Sequence, residues 1–99
     1  MSTLPAALWA LGTIAGKRPD LIRSLPLYNL FKLADYHGAQ IRGLALRLFG
    51  NLKAVEIRAQ IEKLTEERDE VVIYEDGSPQ RLTIGALAAE ALKKIDQET

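Results

Sequence analysis

The sequence has no cysteine, a single histidine and no long apolar run. Absent cysteine excludes disulfide frameworks, thiol chemistry and cysteine-based zinc sites together. One histidine, His37, excludes any multi-histidine metal centre. No stretch approaches the roughly 18–20 apolar residues that a membrane span needs. Met1 to Leu11 lack the basic start of a secretory signal. Basic and acidic side chains number 13 each, so no net charge draws the chain to nucleic acid or anionic lipid. The expectation is a soluble cytoplasmic protein, with no metal, no cofactor and no membrane.

What is present is ordinary globular material. The chain has 99 residues, 47% hydrophobic and 26% charged, which predicts one ordered domain over 1–99. A chain of this size buries about 60–70% of its unfolded surface, enough for one modest core. The zero net charge hides a division. Residues 1–50 hold six basic and two acidic side chains, net +4; residues 51–99 hold seven and eleven, net −4. In an elongated fold, opposite ends of two copies would attract.

Apolar spacing predicts five helices, over about 3–16, 19–35, 40–52, 54–69 and 83–97. Thr3 and Pro5 open the first, and Gly16 stands where its C-terminal cap is expected. Pro26 lies inside the second and must kink or restart it, because it removes a donor and clashes with the preceding turn. Glu62, Glu66 and Glu70 are like charges at four-residue spacing, which weakens the far end of the fourth. The period then changes. Val71-Val72-Ile73-Tyr74 and Gln80-Arg81-Leu82-Thr83 flank Asp76-Gly77, which predicts a hairpin over about 71–83. Thr83 is placed to cap the last helix.

Three helices share a pattern. Ala7 to Ile14, Ala45 to Leu52 and Ala88 to Ile95 align at offsets of 38 and 43 residues, each with a small residue first and an aliphatic one last. Repeats near 40 residues with two helices per unit predict a helical solenoid, because one amphipathic pair buries both faces only by stacking on the next. Ala7, Ala45 and Ala88 are expected to line one common interior.

With these features the chain resembles the HEAT-repeat family, in its short prokaryotic form. Asp35 followed by Ile41-Arg42 resembles the family's turn aspartate and the apolar–basic pair of the second helix. Ala45, Leu48, Gly50 and Leu52 resemble its second-helix core, and Pro26 its kinked first helix. The segment from Val72 to Gly77, with Thr83-Ile84-Gly85, Ala88, Ala91, Leu92 and Ile95, is similar to a hairpin-bearing terminal repeat of archaeal members. Gly85 departs from the pattern, standing where Arg42 stands one repeat earlier. The resemblance implies an all-α fold, a right-handed α-α superhelix of about 2.5 repeats, with a small β-hairpin before the last helix.

Candidate binding residues follow from both readings. Trp9, Arg47 and Glu90 are equivalent, as are Thr13, Asn51 and Lys94 one turn later, and all six fall off the core stripes. In the family, second helices line the concave docking face, so the resemblance makes these six a binding surface. Trp9 is either a docking anchor or a residue packed at the open end of the array. The first helix has no ionisable side chain from Thr3 to Gly16, so one face is expected to be covered by another copy or a further repeat.

No catalytic residue is assigned. His37 lies in a Tyr36-His37-Gly38 turn without a catalytic set around it, and Asp35 with Arg42 reads as a structural salt bridge. Glu66, Glu67, Asp69 and Glu70 lack the ligand loop of a calcium site and read as a solvated helix end. The expected function is a non-catalytic scaffold for protein–protein interaction, self-association to a dimer or larger oligomer included. The alternative is a nucleic-acid-binding module using Lys17, Arg18, Arg23, Arg42 and Arg47.

Overall fold

The computed structural model describes residues 4–22, 26–36, 38–75 and 77–97. It is mostly helical, with one two-stranded antiparallel sheet. Helix α1 is Leu4–Lys17, with Pro5 in the first turn where its missing N–H is harmless. Gly16 does not cap it. The Arg18 N–H still bonds the Ile14 carbonyl at 2.6 Å, and the helix stops where Pro19 disfavours helical geometry in the residue before it.

The expected second helix is not continuous. A 3₁₀ turn, Pro19–Ile22, precedes a separate helix α2, Leu27–Tyr36. Pro26 restarts the chain, and its carbonyl accepts the first helical bond, from Leu30 N–H at 3.0 Å. Helix α3, Ala39–Leu52, is the centre of the molecule. Nine of its positions are buried, from Ile41 to Leu52, because α1, α2, β1 and α5 all pack against it. Phe49 of α3 meets Phe31 of α2 with ring centroids 6.3 Å apart. Burying such a side chain stabilises the fold by about 1.5–3 kcal/mol. A left-handed Lys53, with φ and ψ both 54°, ends α3, and Ala54 N–H closes back on Phe49 at 3.0 Å.

The fourth helix is much shorter than its charge-rich sequence suggested. After a 3₁₀ turn, Val55–Ile57, helix α4 covers only Arg58–Glu62. Residues 63–69 instead form a connection whose carbonyls at Glu67 and Asp69 accept from Gly85 and Ile84 N–H, both at 2.8 Å. Strand β1 is Glu70–Glu75, strand β2 is Ser78–Thr83, and Val71 pairs with Leu82 and Ile73 with Gln80. Gly77, with φ 78°, supplies the left-handed residue of the turn; Asp76 lies outside the described residues. Two strands alone are marginal in water. Here Val71 and Ile73 are buried against α3. Helix α5, Ile84–Asp96, follows directly, and Thr83 Oγ1 accepts from Ala86 N–H at 3.0 Å as its cap.

α1 and α5 both pack on α3, so the three like-built helices lie side by side. The shared interior is incomplete, however. Ala45 and Ala88 are buried, whereas Ala7 is exposed, and α1 buries Leu8, Gly12 and Ala15 instead. Nor is the molecule elongated. Its Cα extents are 32 × 28 × 26 Å, and the two oppositely charged halves fold onto each other. Among the described residues no helix is long and apolar enough to cross a membrane.

Candidate functional site

The aligned positions of α1, α3 and α5 meet in a chain of polar contacts. Arg47 reaches from α3 across α1, donating from Nη1 to the Trp9 carbonyl at 3.1 Å and from Nη2 to Thr13 Oγ1 at 3.0 Å. Its guanidinium lies 5.5 Å from the Trp9 ring centroid, a cation–π distance. Thr13 in turn donates to the Trp9 carbonyl at 3.0 Å. One turn on, Asn51 Nδ2 donates to the Gly12 carbonyl at 2.8 Å, and Lys94 Nζ donates to Asn51 Oδ1 at 2.8 Å. Two glycines allow this. A Cβ on Gly12 would come within 2.6 Å of Arg47 Nη1, and one on Gly50 within 2.9 Å of the Ala91 backbone.

Trp9 is less available than its sequence position suggests. It is 42% exposed, yet its indole N–H donates to the Tyr74 carbonyl of β1 at 3.1 Å. It therefore ties α1 to the hairpin. A second tie lies at the start of α3. Gln40 Nε2 donates to the Val72 carbonyl at 2.7 Å, and Gln40 Oε1 accepts from Val72 N–H at 3.1 Å. Gln40 and Trp9 thus occupy three outward backbone groups of β1, both of those of Val72 and the Tyr74 carbonyl, as a third strand would. The partner of Gln40 is 32 residues away, and no local pattern marks it.

Glu90 stands apart from the polar chain. With Arg47 and Lys94 it borders a cleft of about 390 Å³ between α3, α5 and the inner face of the hairpin. Leu46, Ile73, Leu82 and Ala91 supply apolar walls, and Gln80 a further polar group. Sequence reasoning did not single out Gln80 or Leu82. Only the packing of β2 over α5 brings them beside Glu90.

Arg42, also a sequence candidate, makes contacts within the fold. Arg42 is largely buried and pairs with Glu67 and with Asp69, the latter at 3.7 Å. Glu67 and Asp69 accordingly belong to the connection before β1, not to a solvated helix end. The side chain of Asp35, and all of His37 and Arg23, lie outside the described residues. Of the basic set, Arg18 pairs with Asp20 at 3.0 Å, Arg42 with the two carboxylates, and Arg47 with α1. Arg58 holds Asp96 through two bonds, at 2.9 and 2.7 Å, and Glu62 through a third at 2.8 Å. The guanidinium keeps the Asp96 carboxyl below its ordinary pKa. Among the described residues no three histidine or carboxylate groups gather as metal ligands. No family model, no curated protein and no solved structure matches the chain.

Proposed function

We propose that this chain is a non-catalytic helical-repeat scaffold, a HEAT-like α-solenoid fragment, that binds protein and associates with a second copy. The observation that carries the reading is the outer face of α1. Ala6, Ala7, Ala10 and Ile14 are exposed there, and no ionisable side chain occurs between Leu4 and Gly16. The layer of α1, α3 and α5 is open at α1. Stacked repeats that end in water carry polar caps, and α1 carries none. The register of the polar contacts also supports repeat character. Trp9 meets Arg47 and Asn51 meets Lys94, as the 38- and 43-residue offsets require.

Sedimentation of the whole protein and of Ala10→Glu tests the proposal. The wild type is expected to form a dimer or larger species. The variant, with a charge on the open face and unchanged far-ultraviolet circular dichroism, is expected to be monomeric. A wild type that stays monomeric at high concentration, or a variant that associates equally well, refutes the use of this face.

A further inference from the structure

The two edges of the hairpin are treated differently. On β1, the outward Val72 N–H and C=O are taken by Gln40, and the Tyr74 carbonyl by Trp9. Because Val72 stands opposite Arg81 and Tyr74 opposite Pro79, the backbone groups of Arg81 and Pro79 face the other way. Among the described residues nothing accepts from Arg81 N–H or donates to the carbonyls of Arg81 and Pro79. The β2 edge is open, and the cleft bordered by Gln80, Leu82 and Glu90 lies under it.

We propose that β2 binds an extended segment of a partner protein as a third strand, with an acidic residue opposite Arg81 and apolar residues on either side of it. The backbone groups call for an extended chain. Side chains on a strand alternate between faces. The residue opposite Arg81 therefore shares its outer face, and its two neighbours turn inward, beside Gln80 and Leu82. The Arg81 side chain is 74% exposed and only loosely paired with Glu70, at 3.8 Å, so an acidic residue fits opposite it. The same residue disfavours a second copy. Two β2 strands paired about Arg81 would place like charges opposite each other, and Pro79 would lack a donor in both.

The test uses the whole protein and a short fluorescein-labelled peptide of alternating valine and aspartate. Anisotropy should show binding, and the Arg81 amide should exchange more slowly with solvent when the peptide is present. Arg81→Glu should weaken binding about fivefold or more, and a valine–lysine peptide should regain the affinity on that variant. Arg81→Glu should leave sedimentation unchanged, which separates this edge from the α1 face. Three results overturn the proposal: no binding of the valine–aspartate peptide, no slowing at the Arg81 amide, or equal binding of both peptides to both proteins. Slowing of Arg81 exchange by concentration alone, without peptide, also overturns it and assigns the edge to a second copy.

Discussion

Replacing Gly85 by alanine should destabilise the protein, although alanine is the better helix former. A Cβ at Gly85 would lie 2.4 Å from the Thr65 carbonyl oxygen and 2.8 Å from that of Glu67, against 3.4–4 Å for ordinary contact. Both obstacles are backbone, so the connection must move by about an ångström. That shift disturbs the Gly85 and Ile84 bonds to Glu67 and Asp69, and with them the carboxylates that face Arg42. Overpacking costs about 1–3 kcal/mol and a lost hydrogen bond about 1 kcal/mol, while the helix-propensity gain returns about 1 kcal/mol. The net loss is about 2 kcal/mol, a urea midpoint lower by about 1–2 M with an unchanged slope. Gly16→Ala is the control. Gly16 is an exposed helical residue whose Cβ would meet only the Asn51 side chain, at 3.4 and 3.8 Å, and alanine there should stabilise by about 0.5–1 kcal/mol. Urea titrations followed by circular dichroism compare the three proteins. A Gly85→Ala midpoint at or above the wild type would refute the close approach of α5 to residues 65–67.

Gln40→Ala leaves both outward groups of Val72 open and should destabilise by about 1–2 kcal/mol, with faster exchange of the Val72 amide; unchanged exchange there would show that Gln40 does not close the edge. Lys53→Gly relieves a left-handed lysine and should raise the melting temperature, gaining about 1 kcal/mol, less the loose bond from Lys53 Nζ to the Gln97 carbonyl at 3.2 Å. Asp96 titrates below its ordinary value in the folded chain because Arg58 favours the carboxylate. Its stabilisation is therefore complete above the ordinary aspartate pKa and lost as pH falls through the lower folded value. Asp96→Asn should flatten that part of an acid-unfolding profile, and an identical profile would show that the clamp contributes nothing.

The helices and the hairpin were legible because their signals are local. Spaced apolar residues, Pro26, Thr83 and Asp76-Gly77 act within a turn or two of chain. The fourth helix misled because residues 63–69 have helical composition but are held by the α5 N-terminus and Arg42, partners far away in sequence. The 38- and 43-residue offsets placed Trp9, Thr13, Arg47, Asn51 and Lys94 in one neighbourhood. The offsets could not show that the side chains bind one another.

The sequence by itself determined where most of the helices and the hairpin lie, the break at Pro26, the cap at Thr83, and that α1 carries no charge before Lys17. Tertiary structure alone decided that Ala7 is exposed, that Trp9 serves the hairpin, that Gly85 has no room for a side chain, and that β1 is closed at Val72 while β2 is open at Arg81. The physical reason is distance. Propensity and spacing act over a few residues, whereas edge closure and close helix approach join groups far apart in sequence, such as Gly85 with Thr65, Gln40 with Val72 and Trp9 with Tyr74.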